Sequence, residues 1–144
     1  MSLSNVFNIA GSGMSAQTLR LNTTASNMAN AQSVSSSIDE TYRARKPVFS
    51  LRPPSVEQVK DNVDGLQPGQ GVDVLGIVES DAELNMEYNP SHPMADEKGY
   101  VYYPNVNVVE EMADMISASR SFQINAEMMD TAKQLLQRTL SLGQ

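Results

Sequence analysis

Val108, Met115, Phe122, Met129 and Leu136 recur at intervals of seven residues along 38 nearly unbroken C-terminal positions. Met112, Ala126 and Leu140 lie four positions after members of that row. Five consecutive apolar positions with this spacing demand a long helix that shows one stripe to a partner. The start of this helix is marked. Pro104 precedes it, Asn107 stands at the cap position, and Glu110 follows three residues later. Glu110, Glu111 and Asp114 crowd the first turns, Lys133 and Arg138 lie towards the end, and Gly143 reads as a stop.

The N-terminal segment repeats the pattern. Phe7, Met14, Leu21 and Met28 are again seven apart, with Ala10, Thr24, Ala25 and Ala31 at +3 or +4. Phe7 to Met28 would span ~32 Å at ~1.5 Å per residue. The small residues between them let helix backbones approach closely. Local propensity opposes this helix, because Asn, Ser and Thr dominate its remainder. Gly11 and Gly13 each cost ~1 kcal/mol against Ala in a helix interior. The helix therefore either starts after Gly13 or forms only when packed.

The chain between the two rows has another texture. It holds six of the seven prolines, and Pro104 closes it. YRARKPVFSL (42–51) has strand character, with Pro47 restricting it to an edge. VDVLGIVES (72–80) is rich in β-branched residues and follows the turn signal LQPGQG (66–71). LNMEY (84–88) alternates, NPSHP (89–93) must turn, and GYVYY (99–103) reads as a last strand. The fold class is thus mainly α with a β-rich insert. The pattern suggests that residues 1–31 and 105–144 form N- and C-terminal helices that pair as an antiparallel coiled coil, with residues 32–104 as the small irregular β region. In a competing reading each helix covers one side of the central sheet in a monomeric α+β domain.

Charge narrows the function. From Met1 to Ile38 the only charged side chain is Arg20, residues 39–104 carry 12 acidic and 6 basic residues, and residues 105–144 carry 5 and 3. A helix that is uncharged all round is best explained by burial against several neighbours. Phe7, Met14, Leu21, Met28, Val108, Met115, Phe122, Met129 and Leu136 are accordingly the candidate subunit-packing residues of a self-associating protein. An acidic chain of net charge −7 with no basic cluster disfavours nucleic acid and anionic lipid as partners.

Catalytic chemistry finds no foothold. The chain has no cysteine and one histidine, His92, set between Pro90 and Pro93 with Ser91 adjacent and Asp96 and Glu97 as the nearby acids. That is a poor ligand set and reads as a turn histidine. Glu110 and Glu111 are neighbours on a helix and point in different directions. GSG (11–13) follows no strand and makes no phosphate loop. The nine methionines fall mostly on the stripes, where adaptable packing is their usual use. No catalytic residue, cofactor, metal or small-molecule substrate is expected. Segments of membrane-spanning length and a cleavable signal sequence are absent from the pattern, so an exported chain would keep its N-terminus.

Four stretches carry a resemblance: ASNMANA (25–31), YNPSHPMADEKGYV (88–101), PNVNVVEEM (104–112) and SASRSFQINAEMM (117–129). They resemble the axial proteins of the bacterial flagellum, the family of rod, hook and filament subunits. The NPSHP…GYV…PNVN block is similar to the proximal rod group of that family. Phe122 stands where relatives often have Tyr and Ile124 where they often have Ala; both remain apolar. The resemblance implies a structural subunit of the basal-body rod that is exported unfolded by the flagellar type III apparatus without signal cleavage. It implies terminal helices that line the channel, an insert packed outward in the periplasm, and a helical assembly that transmits torque. Its neighbours would be other rod proteins, the basal-body adaptor and the export gate. Two rivals share the helical ends: a soluble coiled-coil adaptor, and a needle or inner-rod component of a related secretion machine.

Overall fold

A computed structural model describes residues 3–53 and 71–142, without the side chains of Leu3 and Leu142. The elements run α1 (Leu3–Asn30), β1 (Arg45–Leu51), β2 (Val72–Glu79), β3 (Asn85–Tyr88), β4 (Tyr100–Tyr103) and α2 (Val108–Leu142). The turn expected over 66–71 lies outside the described residues except for Gly71, and so does the stop at Gly143. Two compact units share these elements. One comprises Met1–Leu19, Val48–Gly76 and Ala118–Gln144; the other comprises Arg20–Pro47 and Ile77–Ser117.

Helix α1 runs straight through both glycines and begins at Leu3, so packing overrides propensity here. The reason is local at Gly13. A Cβ on that residue would stand 2.8 Å from the Asn125 side-chain nitrogen. The hydrogen on glycine leaves room there for the Asn125 amide, which a larger residue would have to displace. Helix α2 starts as its sequence signals. The Asn107 side-chain oxygen accepts the Val109 N–H at 3.1 Å, which satisfies one of the orphan donors of the first turn. Glu110 and Glu111 occupy that turn, whereas the last turn holds no basic residue. The expected dipole complement therefore exists at the N-terminus of α2 alone, because Lys133 and Arg138 sit too far back from Leu142.

The strands fall where β-branched and alternating residues placed them. β1 and β2 form one two-stranded sheet, and β3 and β4 form another. Pro47 is tolerated in β1 because a two-stranded sheet consists of edges only. The β3–β4 pair is antiparallel, with Met86 opposite Tyr102 and Tyr88 opposite Tyr100. This register turns Val101 inward, where it is 1% exposed. Ser35 adds an isolated bridge to Tyr102 on the free side of β4.

What the helices bury differs from the apolar rows. On α2 the fully buried side chains are Glu111, Ala118 and Ala132, and on α1 they are Ala10, Ala16, Thr23, Thr24 and Asn27. Glu111, Ala118 and Ala132 lie three residues after Val108, Met115 and Met129, respectively. In the unit that contains residues 20–47 and 77–117, Arg20 meets Asp114 and Asn27 meets Glu111, so the two helices run antiparallel there. The side chains that the helices bury fully are thus mostly small, and the large apolar side chains of the two rows are left half-buried or exposed.

Candidate functional site

The candidate site is a surface rather than a cleft. Phe7, Met14, Leu21, Met28, Met115, Phe122 and Met129 are each half-buried, and Val108 and Leu136 are 40% exposed. None of the nine is fully covered by the chain's own atoms. Farther round α2, Val109 is 75% exposed, Ile116 56% and Leu140 66%. Val6, Ile124, Met128 and Leu135 line a shallow apolar hollow in the other unit. The outward residues of α1 are Ser4, Asn8, Ser15, Thr18, Asn22, Ala25 and Ala29. That face carries no charge and little bulk. A solvent-facing helix surface is ordinarily well charged; the outward face of α1 departs from that rule, and α2 keeps charged residues such as Arg120, Asp130 and Lys133 among its exposed apolar ones.

Beneath the surface lies a polar cluster that sequence reasoning did not single out. Asn27 is 0% exposed and its amide is saturated. Its nitrogen donates to the Arg45 carbonyl at 2.8 Å and to a Glu111 carboxylate oxygen at 2.9 Å. Its oxygen accepts the Arg45 N–H and the Tyr42 hydroxyl, each at 2.9 Å. The side chain therefore acts as an extra strand partner for the Arg45 peptide and ties α1, the start of β1 and α2 together. The Arg45 guanidinium in turn pairs with Glu79 at 3.0 Å and stands 5.5 Å from the centre of the Tyr42 ring.

Asn105 repeats the device. Its oxygen accepts the Ala44 N–H at 2.8 Å, and its nitrogen donates to the carbonyls of Ser80 and Ala82. Arg43 reaches the same two carbonyls at 3.2 Å. Asn27 belongs to ASNMANA, and Asn105 and Glu111 to PNVNVVEEM.

The NPSHPMADEKGYV stretch forms the connection from β3 to β4. Asp96 accepts the N–H groups of Lys98 and Tyr100 at 2.9 and 2.7 Å and the Tyr102 hydroxyl at 3.2 Å. The Tyr100 N–H, before any other influence, holds the Asp96 carboxyl below its ordinary value of 3.8, so it is charged at neutral pH and fixes the turn. Burial and the Asp96 contact push the Tyr102 hydroxyl above 10.0. Gly99 adopts φ +84°, and a Cβ there would lie 2.9 Å from the Tyr88 ring. His92 accepts the Met94 N–H through Nδ1 at 3.1 Å, which is the role of a turn residue. Among the described residues no group of three His, Cys, Asp or Glu could hold a metal ion. No described helix is long and apolar enough to cross a membrane.

Comparison with known proteins decides what the surface belongs to. Residues 7–34 match the family described as flagella basal body rod protein, and residues 97–142 match the C-terminal family of flagellar basal body rod FlgEFG proteins. The flagellar basal-body rod protein FlgC of Yersinia enterocolitica is 47% identical over 147 residues, with both chains fully covered. That of Salmonella typhimurium is 45% identical over 144 residues, also with full coverage of both. The FlgC of Borreliella burgdorferi is 36% identical over 155 residues, with 99% of its length and all of this chain covered.

The chain belongs to the FlgC family of flagellar basal-body rod proteins.

As a FlgC-family chain it is a structural subunit of the basal-body rod, from a family not known as enzymes. The two matched stretches take in the length of α1 from Phe7 onward and all of β4 and α2. Asn27, Asn105 and Glu111 all fall within them. The helices are therefore the main elements within the stretches that match rod-protein families.

Proposed function

We propose that the chain polymerises through its terminal helices into the periplasmic part of the flagellar rod, where it transmits torque and helps to line the export channel. Residues 1–31 and 105–144 act as one antiparallel coiled-coil domain, and residues 32–104 form the insert that packs outward. Phe7, Met14, Leu21, Met28, Val108, Met115, Phe122, Met129 and Leu136 are the subunit-packing residues. The neighbours are further copies of the chain, other rod proteins, the basal-body adaptor and the export gate.

One observation carries this reading: nine large apolar side chains lie in heptad rows along the two helices, and the chain itself fully buries none of them. Full burial of a half-exposed Leu, Met or Phe stabilises by ~1 kcal/mol. No single residue drives assembly, and many contacts acting together do. The uncharged outward face of α1 adds support, since charges there would have to be desolvated at every subunit contact. Its weak helix propensity also suits a segment threaded through a narrow channel before it folds.

The experiment is sedimentation together with circular dichroism on the purified chain across a concentration range. We expect a monomer in dilute solution whose helix content falls short of both full helices, rising as subunits associate. A solitary monomer with α1 and α2 fully helical contradicts the reading, as does a fixed small oligomer indifferent to concentration.

A further inference from the structure

Among the described residues, the side-chain contacts that join distant parts of the chain lie mostly in one of the two units. Within residues 20–47 and 77–117, Arg20 pairs with Asp114 at 2.6 Å. Asn27 joins Glu111, Arg45 and Tyr42, and Asn105 joins Ala44, Ser80 and Ala82. Val101 and Pro104 are among the largest fully buried side chains of the described chain. The unit built from 1–19, 48–76 and 118–144 is held differently. Its buried side chains are Ala10, Ala16, Ala118 and Ala132, and every described residue from 133 to 140 is exposed. Among its described residues the one ion pair, Arg52 with Asp73, joins the residue after β1 to β2, and a hydrogen bond from the Val72 N–H to the Ser12 hydroxyl at 3.1 Å links β2 to α1.

We propose that residues 20–47 and 77–117 form a prefolded clamp in the free subunit, which fixes the register of α1 on α2 before any neighbour arrives. A buried, fully satisfied amide specifies one geometry, since a slip of either helix leaves Glu111 and the Arg45 peptide without partners in a site closed to water. The clamp also removes a kinetic obstacle. Starting a helix is unfavourable by a factor of about 10⁻³, whereas extending one is nearly neutral. The last third of α1 and the first third of α2 are the nuclei. On the assembly reading above, the remaining stretches, 3–19 and 118–142, grow from them by extension against neighbouring subunits.

The test is amide hydrogen exchange on the full-length chain, free in dilute solution and in isolated basal bodies. In the free chain we expect amides of 23–29 and 111–117 to exchange at least about a hundredfold more slowly than an unstructured chain. Those of 5–18 and 121–140 should exchange at nearly unstructured rates. Asn27→Ala should erase protection in 111–117 as well as in 23–29, and Ser15→Ala should leave both unchanged. Uniform lack of protection in the free wild-type chain overturns the clamp, and so does even protection along both helices. A failure of 5–18 and 121–140 to gain protection in basal bodies would instead count against the assembly reading.

Discussion

A strain whose only copy of this protein carries Phe122→Asp should be non-motile, with the variant present in cells and missing from isolated basal bodies. Phe122 is half-buried on α2, in its heptad row. In the free subunit an aspartate there keeps much of its water, so synthesis and the clamp survive. In the assembled rod the same carboxylate would be enclosed by neighbours whose facing residues are apolar. Burying an unpaired carboxylate costs several kcal/mol, and each 1.4 kcal/mol is about tenfold in association. A loss of about three orders of magnitude in subunit affinity follows. Leu21→Asp should behave likewise from α1. Phe122→Leu, which stays apolar, should keep motility. Swimming in soft agar and immunoblots of cells and basal bodies read the outcome directly.

The largest effect on the subunit's own stability should come from Asn27→Ala. The substitution deletes four hydrogen bonds at a side chain with no exposed surface. It also leaves the Glu111 carboxylate, 5% exposed, without the amide it accepts from. Loss of one partner of a buried charged group costs about 3 kcal/mol or more. Small domains are stable by only about 5–15 kcal/mol in total. Urea unfolding of the purified chain should therefore show a midpoint far below wild type, or no cooperative transition. Removing both groups should hurt less than the two single losses added together. Asn27→Ala with Glu111→Ala should show a coupling of more than about 1 kcal/mol, the signature of residues that act through each other. Additive losses would mean that the amide and the carboxylate are independent.

Much of this was legible in the residues, and the parts that were not share a cause. The long helices announce themselves through apolar positions seven apart, and Asn107 marks the start of α2 at the residue where its side chain caps the helix. The strands follow β-branched and alternating runs. On α1 the small residues between the apolar row already pointed to close packing, and Ala10 and Thr24 among them are buried; on α2 the buried small residues escaped, because hydropathy follows large side chains. A residue such as Ala118, fully buried, gives the same signal as an exposed alanine. Asn27 and Glu111 escaped for the opposite reason. Polar side chains read as solvated, and only their partners, 84 positions apart in sequence, reveal them as buried. Gly11 and Gly13 argued for a late helix start. Propensity is a sum of ~1 kcal/mol penalties, and a helix that begins at Leu3 shows that the rest of its packing outweighs them.

The claim underneath these expectations is that the apolar rows of α1 and α2 are completed by other chains. A density map of the intact basal body, with this chain traced through it, tests that most directly. We predict that Phe7, Leu21, Phe122 and Met129 each have side-chain atoms of a neighbouring subunit within about 4.5 Å. A rod in which those four side chains face open channel or solvent would contradict the account.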